Sequence, residues 1–284
     1  MVSENDIHVK VKDHSVSGEV FTLKKDPKFD YLITTPQPSL EELPNYYKSE
    51  DYISHTNSKR NIFETVYHLV RRVSISKKVK LINNQNTETK TLLDIGCGTG
   101  DFLQAAKKQN WNVVGIEPNT SARDIAKSKV GQEVYNTGHL LSLEPNTFDV
   151  ITLWHVLEHL PKLDEHIQLI KSLLKDNGTL VIAVPNYNSF DACHYKNFWA
   201  AYDVPRHLWH FSRKSIQTLF ETVQLNVENE LPMKFDSYYV SLLSEKYKSG
   251  FMNPVKAFWV GLKSNLKAKR SKEYSSIIYI LKNQ

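Results

Sequence analysis

Residues 92–103, LLDIGCGTGDFL, place three glycines at alternate positions directly after an apolar run. A glycine-rich loop that opens a helix holds the pyrophosphate of a dinucleotide when the third glycine falls five residues after the first. Here Gly100 follows Gly96 by four residues, and an acid, Asp94, stands two positions before Gly96. A carboxylate at that point repels a pyrophosphate but can hold an ammonium group. The spacing therefore favours a cationic ligand without phosphates.

A second acid, Glu117, follows 23 positions after Asp94, at the end of the next predicted strand. A carboxylate in that place can accept hydrogen bonds from both hydroxyls of a ribose. The two acids and the glycine loop together outline an adenosine that carries an amino-acid tail. Taken singly, each residue also has a structural interpretation: turn glycines, a helix cap at Asp94 and a solvated loop acid at Glu117.

The elements that must position these residues alternate between strand and helix. Near-continuous apolar runs indicate parallel strands covered on both faces, at 91–95, 112–116, 148–153 and 179–184. Helices fit between them at 101–109, 120–129 and 164–175, the last closed by Asn177-Gly178, and a helix near 212–223 and strands near 225–230 and 275–281 complete the unit. This order predicts an α/β fold with a doubly wound, Rossmann-like, mostly parallel sheet and ligands at the carboxyl ends of its strands.

The 284 residues suit one large domain with additions. Short β-like runs between 6 and 36, followed by a polar tyrosine-rich stretch, predict an N-terminal hairpin and lid segment over residues 1–58. The core is predicted over 59–237 and begins with an amphipathic helix. Residues 238–284 are predicted to hold a basic helical insertion and the final strand.

At this point the chain resembles the class I S-adenosylmethionine-dependent methyltransferases. LLDIGCGTG is similar to their first motif, and GIEPN is similar to the end of their second strand. FDVITLWHVLEHL resembles their fourth strand and the following loop, and LLKDNGTLVIAVPN resembles the entry to their fifth strand. The four motifs occur in the family's order and span roughly residues 60–230. The resemblance implies a methyltransferase that uses S-adenosylmethionine.

The resemblance also implies the residues of the cofactor site. Asp94 and the backbone from Gly96 to Gly98 would hold the amino and carboxylate groups of the methionine, and Glu117 would hold the ribose. The other cofactor-binding positions that it implies are Cys97, Gly100, Pro118, Asn119, Gly138, His139, Leu140, Trp154 and His155. Many relatives carry an acid after the third strand that binds the adenine amino group. His139 and Leu140 occupy that region here, which implies that backbone groups and apolar packing contact the adenine.

Methyl transfer from a sulfonium is an in-line displacement, in which the protein aligns the nucleophile, the methyl carbon and the sulfur. A hydroxyl acceptor also needs a base, and an imidazole suits that task. The stretch WHVLEHL places His155 next to the predicted methyl group and His159 one helical turn further on. Both are candidate catalytic residues. For Glu158 and His159, ordering the entrance to the next helix is the structural alternative.

The long connection after the fifth strand, residues 187–212, contains eight aromatic residues and three histidines. A connection of that length in a compact domain is usually functional, and this one is too apolar for disorder. It resembles the DxPRHLxxF segment of methyltransferases associated with cell-surface sugars and lipid-like acceptors. We interpret it as the acceptor wall, in which Asp203 and Arg206 form an ion pair, Trp209 contacts the acceptor and His207 is a third candidate base. A packed lid, with Arg206 and His207 bound to buried carbonyls, is the alternative.

No metal site is predicted. The two histidines of HLWH lack a nearby third ligand, and the two cysteines of the chain cannot form a zinc site in the N-terminal hairpin. Ahead of the first helix, Tyr46, Tyr47, Tyr52 and His55 lie where relatives fold a segment over the cofactor. Tyr52 is the preferred candidate for closing over the acceptor, and ordinary packing is the alternative.

The formal net charge of +5 belongs to one segment, since residues 241–273 hold eight basic residues and two acids. No nucleic-acid partner is expected, because the Asn-Pro-Pro-Tyr type of motif is absent after the fourth strand. Within that segment, residues 250–272 combine lysines with aromatic residues, which suits peripheral contact with an anionic membrane. Packing of a helical hairpin on the sheet edge or on a second subunit is the favoured alternative. The oligomeric state cannot be predicted.

The sequence as a whole predicts a cytoplasmic enzyme, because its first residues are polar and no apolar run approaches the ~18 residues of a spanning helix. The predicted reaction is S-adenosylmethionine-dependent methylation of a small-molecule or lipid-linked sugar acceptor at oxygen. A quinone-precursor O-methyltransferase and an N-methyltransferase are alternatives. An NAD-dependent oxidoreductase is disfavoured because Asp101 stands where its fingerprint needs glycine or alanine. A non-catalytic cofactor-binding or membrane-associated module is the remaining alternative.

Overall fold

Two β-sheets organise the chain. The computed structural model describes residues 6–47, 62–85, 87 and 89–283. The strands in chain order are β1 Ile7–Lys12, β2 Val20–Lys25, β3 Leu32–Thr35, β4 Thr91–Ile95, β5 Asn112–Ile116, β6 Phe148–Trp154, β7 Leu174–Pro185, β8 Trp209–His210, β9 Leu225–Pro232 and β10 Ser276–Asn283. The smaller sheet has the order β1-β2-β3-β8 and the larger one the order β5-β4-β6-β7-β10-β9.

The larger sheet is mostly parallel. Strands β5, β4, β6 and β7 pair in parallel, and β10 lies antiparallel between β7 and β9. Its core residues alternate between two apolar clusters, with Leu93 and Ile151 in one and Leu92 and Val150 in the other. Because successive side chains of a strand point to opposite faces, the two clusters cover the two faces of the sheet. The predicted α/β fold is confirmed.

The helices surround this sheet, and their ends follow local sequence. They are α1 Ile62–Asn83, α2 Asp101–Lys107, α3 Thr120–Val130, α4 Leu163–Leu173, α5 Phe190–Tyr195, α6 Arg213–Glu221, α7 Asp236–Ser249 and α8 Pro254–Ser271. Asn119 caps α3 by accepting a hydrogen bond from the Ala122 N–H, and Ser212 starts α6 with a capping box. The start of α8 combines a capping asparagine, Asn253, with a proline in the first turn.

The predicted helix end at Asn177-Gly178 is wrong. Helix α4 ends at Leu173, and both residues lie inside β7, a strand of 12 residues. Leu174 pairs with Phe148 at the start of this strand, ahead of a register shift. A Cβ atom at Gly178 would lie 2.7 Å from Leu174 Cδ1. The glycine therefore allows close packing within the strand and does not cap a helix.

The smaller sheet is assembled from distant parts of the chain. Strand β8, from the connection after β7, pairs with β3, so that Leu32 lies opposite His210. A third apolar cluster joins this sheet to that connection and to helices α7 and α8, through residues that include Val11, Leu23, Leu32, Tyr187, Tyr195, Trp199, Tyr202, Val240 and Val260. The N-terminal strands thereby fix the segment that was predicted to be the acceptor wall.

Helices α7 and α8 pack against each other through small side chains. Ala257, Gly261, Ser264 and Ala268 of α8 are buried, and a Cβ atom at Gly261 would lie 2.7 Å from Tyr238 Cδ1 of α7. Among the described helices, none is long and apolar enough to cross a membrane.

Candidate active site

The glycine loop after β4 is packed at both ends and open in the middle. All three glycines have positive φ, with values of 74° at Gly96, 54° at Gly98 and 77° at Gly100. A Cβ atom at Gly96 would lie 2.3 Å from Cγ2 of Val156, and one at Gly100 would lie 2.9 Å from the Cβ atom of Ala126. A Cβ atom at Gly98 would meet nothing within 4 Å. The loop is therefore packed at its two ends and exposes its middle to a ligand.

Asp94 is a buried carboxylate at the end of β4, with 1% of its surface exposed. Thr152 Oγ1 of the neighbouring strand donates a hydrogen bond to Asp94 Oδ1 at 2.6 Å. Burial raises the pKa of Asp94, and the Thr152 hydrogen bond and the charge of Lys78 oppose this shift. Among the described residues no ion pair includes Asp94, and the charge of Lys78 acts on it without direct contact. An ammonium group from a ligand would pair with this carboxylate.

Lys78 of α1 points into the same region, and sequence reasoning missed it. Its Nζ atom lies 4.2 Å from the centre of the Trp154 ring. Burial lowers the pKa of Lys78, while the charges of Asp94 and Asp236 oppose that shift. The Trp154 indole N–H is buried and has no acceptor among the described residues, which leaves it available to a ligand.

Glu117, at the end of β5, faces the open middle of the glycine loop. Its Oε2 atom accepts a hydrogen bond from the Gly98 N–H, and its Oε1 atom accepts one from the Asn119 N–H, each at 2.9 Å. Burial raises the pKa of Glu117, and these two N–H groups oppose the shift. Each carboxylate oxygen keeps a second lone pair, as two ribose hydroxyls require. Pro118 contributes its carbonyl oxygen to a hydrogen bond from Arg123.

The region predicted to contact adenine is a short 3₁₀ turn, Thr137–Ser142. Within it Leu140 is buried, and the His139 ring stacks on Tyr135 at a centroid distance of 3.7 Å. Gly138 packs next to the Asn136 side chain. Cys97, whose thiol pKa is raised by burial, belongs to the apolar cluster beneath the loop. A buried, protonated thiol contributes packing here and no nucleophile.

His155 follows β6 with a positive φ of 58° and lies between two carboxylates. Its Nε2 atom is 3.1 Å from Oδ2 of Asp236, and its Nδ1 atom is 3.4 Å from Oε1 of Glu158. Burial alone would lower the pKa of His155, but the hydrogen bonds and charges of Asp236 and Glu158 raise it to about 10. At neutral pH this imidazole is positively charged, which disfavours it as a base.

Glu158, His159 and His207 meet beside it. The rings of His159 and His207 lie 4.5 Å apart between centroids, and the Nδ1 atom of His207 is 2.9 Å from the Ala201 carbonyl oxygen. Burial, reinforced by the charge of His159, lowers the pKa of His207 to about 4. His207 is therefore neutral at pH 7, as a base or a metal ligand must be. Burial would raise the pKa of Glu158, but the neighbouring histidines lower it.

The Asp203–Arg206 ion pair is present in the structure, and it fixes the wall to the N-terminal sheet. Arg206 donates to both carboxylate oxygens of Asp203, at 3.0 and 2.5 Å, and to the Tyr46 carbonyl oxygen at 3.0 Å. Asp13, in the β1–β2 turn, lies 3.4 Å from the same guanidinium. Trp209 donates its indole N–H to the Leu160 carbonyl oxygen. Their predicted roles in acceptor binding stay predictions.

Tyr52 and His55 lie outside the described residues. Tyr47 is described, and its hydroxyl group is 3.0 Å from Nδ1 of His159. Asp236, at the start of α7, is a further residue that sequence reasoning missed. It lies 81 positions after His155, and nothing in its local sequence relates it to β6.

These residues fit S-adenosylmethionine. A buried carboxylate without an ion pair suits the ammonium of its methionine, an exposed loop backbone suits the carboxylate, and Glu117 suits the ribose. Asp94 is paired in register with Thr152, and His155 follows three positions later in the chain, so the histidine–carboxylate cluster adjoins this site. The arrangement places the residues that fit the cofactor and the histidine–carboxylate cluster at the same edge of the sheet.

Comparisons with known proteins agree with this fit. Residues 66–230 match the family model described as a methyltransferase domain. A ubiquinone biosynthesis O-methyltransferase of Coxiella burnetii (strain RSA 493 / Nine Mile phase I) is 32% identical over 128 residues, which are 43% of this chain and 53% of that protein. An uncharacterized methyltransferase of Alkaliphilus oremlandii is 36% identical over 100 residues, 34% of this chain and 46% of that protein. The chain thus spans about half the length of these curated relatives.

Solved structures share the fold. A SAM-dependent methyltransferase from Archaeoglobus fulgidus superposes with a TM-score of 0.51 at 20% identity, over 78% of this chain and 100% of that chain. A geranyl diphosphate C-methyltransferase from Streptomyces coelicolor A3(2) superposes with a TM-score of 0.55 at 13% identity, over 81% of this chain and 86% of that chain.

Alanine substitutions in the glycine loop should separate packing from ligand binding. Gly96→Ala should lower the free energy of unfolding by about 2–5 kcal/mol, because the added methyl group overlaps Val156 and the left-handed backbone adds strain. Gly98→Ala should cost only about 1 kcal/mol of stability, because its methyl group enters open space. That methyl group should weaken S-adenosylhomocysteine binding about tenfold. Chemical denaturation and calorimetry measure the two effects.

Gly250→Ala is the matched control. Gly250 has a φ of 83°, and a Cβ atom there would meet nothing within 4 Å, so the variant carries similar backbone strain outside the site. It should bind S-adenosylhomocysteine as the wild type does. Equal affinities of Gly98→Ala and Gly250→Ala would exclude the loop from the cofactor site.

Proposed function

The chain belongs to the methyltransferase-domain family, and from that premise we propose that it transfers the methyl group of S-adenosylmethionine to a hydroxyl oxygen. One observation carries the proposal: the cradle of Asp94 and the glycine loop adjoins the cluster of Glu158, His159 and His207. The cradle suits the cofactor, and the cluster suits the removal of a proton from the acceptor. The cradle follows β4, and the cluster combines the turn after β6 with the connection after β7, at the strand ends where ligands of such sheets bind.

When bound, S-adenosylmethionine supplies a methyl group activated by a positively charged sulfur. The chain's residues orient this group and receive the acceptor. Transfer to a hydroxyl oxygen would release one proton from the acceptor, and the cluster of Glu158, His159 and His207 would receive it. Asp94 would hold the methionine ammonium and Glu117 the ribose, and such alignment is the main contribution that a protein makes to an in-line displacement.

Two observations support oxygen as the methylated atom. His207 is neutral and buried next to Glu158, as the removal of a hydroxyl proton requires. The Coxiella burnetii relative is named an O-methyltransferase of ubiquinone biosynthesis. A quinone precursor is therefore the second candidate acceptor. An N-methyltransferase stays an alternative, because an amine also has a proton to lose.

The surface of α8 supports a lipid-linked acceptor. Six apolar side chains at and before this helix are between 48% and 68% exposed: Phe251, Met252, Val255, Phe258, Trp259 and Leu266. Exposed basic residues surround them, namely Lys256, Lys263, Lys267, Lys269 and Arg270. Aromatic side chains among lysines suit the boundary between anionic headgroups and acyl chains. We call this set the basic apolar face and propose that it docks on an anionic membrane that holds the acceptor.

Replacing His207 should affect turnover and not cofactor binding. His207→Ala should lower kcat by about 100-fold or more, because the acceptor proton loses its receiving group. The Kd of S-adenosylhomocysteine should stay within about twofold of the wild-type value, because His207 lies outside the cofactor cradle. Methyl transfer from radiolabelled S-adenosylmethionine to a panel of hydroxyl acceptors and calorimetry provide the two values.

His194→Ala is the control, since this exposed histidine lies in the same connection and outside the cluster. Its kcat should equal that of the wild type. Wild-type turnover in His207→Ala would contradict the assignment of the cluster to catalysis.

Membrane docking predicts selective binding to charged vesicles. The protein should sediment with phosphatidylcholine vesicles that contain phosphatidylglycerol and not with pure phosphatidylcholine. A double variant, Val255→Gln with Trp259→Gln, should bind about tenfold more weakly because it removes apolar contact. Raising the salt concentration should also release the protein.

Leu40→Ser serves as the control, because Leu40 is 63% exposed and lies outside the basic apolar face. Equal sedimentation with neutral and anionic vesicles would contradict membrane docking. So would a dimer in light scattering that the double variant converts to a monomer, because the face would then be a subunit interface.

A further inference from the structure

The cluster of Glu158, His159 and His207 has the composition of a metal site. Glu158 and His159 belong to the 3₁₀ turn Leu157–His159, and His207 comes from the connection after β7. One donor atom from each of the three lies within 4.8 Å of the others. Zinc bonds of ~2.0–2.2 Å place tetrahedral ligands about 3.3 Å apart. Side-chain movements of about 1 Å would therefore close the three donors around an ion.

Both histidines contact backbone carbonyl groups through Nδ1. Nδ1 of His159 is 2.9 Å from the Arg206 carbonyl oxygen, and Nδ1 of His207 is 2.9 Å from the Ala201 carbonyl oxygen. A carbonyl oxygen only accepts hydrogen bonds, so these contacts favour an N–H at Nδ1 of each ring, which would leave Nε2 for a metal ion. The Tyr47 hydroxyl, 3.0 Å from Nδ1 of His159, can accept from the same N–H. Metal-binding histidines characteristically donate their second N–H to a carbonyl or a carboxylate. Two rings in this one cluster are held in that way.

The Glu158 carboxylate lacks the partners that its burial requires. The residue is 1% exposed, and its Oε2 atom has no hydrogen bond among the described residues. Its contact with His155 is 3.4 Å long, and His155 also lies 3.1 Å from Asp236. His155 is thus shared between the carboxylates of Glu158 and Asp236. Buried carboxylates are normally hydrogen-bonded, paired or bound to a metal.

We infer that Glu158, His159 and His207 bind a divalent transition metal ion of the zinc type. One carboxylate and two imidazoles are the protein ligands of many catalytic zinc sites, which keep a further position for water or substrate. Glu158 and His207 also line a small cleft together with Trp199 and Trp209 of the acceptor wall. The acceptor wall therefore borders the proposed ion.

This inference deepens the proposed function, and the catalytic use of the ion depends on that function. With the ion bound, His207 would act as a ligand and would not receive the acceptor proton. A hydroxyl group bound to the ion would lose its proton to water, because a metal ion lowers the pKa of its bound oxygen. The resulting alkoxide or phenolate would form the oxygen–carbon bond while the sulfonium carbon–sulfur bond breaks. Methyl transfer needs no oxidant or reductant, so a redox-inactive ion such as Zn²⁺ suffices.

Zinc binding to the protein alone tests the site. After treatment with a chelator, the wild type should bind one Zn²⁺ ion in calorimetry, and Co²⁺ should give the visible absorption of a four- or five-coordinate site. Glu158→Gln and His207→Gln should each weaken Zn²⁺ binding at least about 100-fold, because each removes one of three protein ligands. Glu158→Gln preserves the side-chain shape, and thermal unfolding verifies that each variant folds. His194→Gln, which alters an exposed histidine outside the cluster, should bind as the wild type does.

Zinc binding that is as tight in Glu158→Gln as in the wild type would overturn the inference. So would the absence of a one-to-one site in the wild type. The two proposals fail separately. Zinc binding through these residues without methyl transfer would support the metal site and contradict the proposed function. Methyl transfer at full rate after chelation, without zinc binding, would support the proposed function and contradict the metal site.

Discussion

The burial of Asp94 is the constraint on which the rest of the candidate site depends. Taking a carboxylate out of water costs several kcal/mol unless a hydrogen bond or a counter-charge offsets the loss. Thr152 supplies one short hydrogen bond, and the Lys78 ammonium, held over the Trp154 ring, acts only from a distance. The site is therefore electrostatically incomplete in a way that a ligand ammonium group completes. The close approach of Gly96 to Val156 holds this carboxylate beside the loop that would receive the rest of that ligand.

The acceptor side depends on contacts between distant parts of the chain. Arg206 connects Asp203 with Asp13 in the N-terminal sheet, and strand β8 pairs with β3. These contacts hold the segment that carries His207 against the turn that carries Glu158 and His159. The N-terminal strands, which are separate from the α/β sheet, thus contribute to the candidate site. They position the second half of a site whose first half lies at the ends of β4 and β5.

The cofactor half could be predicted from the sequence because its determinants are local. Asp94, the three glycines and Glu117 follow two consecutive strands, and their spacing together with the charge of Asp94 favours a ligand without phosphates. The acceptor half could not be predicted to the same extent. Glu158 and His207 are 49 positions apart, and Asp236 comes from a later helix, so only tertiary packing brings them together. The helix end predicted from Asn177-Gly178 was also wrong, because these residues lie in β7, which pairs with β6.

Calorimetric titration of S-adenosylhomocysteine into the wild type and into Asp94→Asn tests the central claim most directly. Asparagine keeps the shape of the side chain and removes its charge. We therefore expect micromolar binding of S-adenosylhomocysteine to the wild type and about 10–100-fold weaker binding to the variant. Asp176→Asn, at an exposed position of β7, should bind as the wild type does. Equal affinity of the wild type and Asp94→Asn for S-adenosylhomocysteine would contradict the role of Asp94 in binding the ligand ammonium group. Tighter binding of NAD than of S-adenosylhomocysteine would contradict the cofactor assignment.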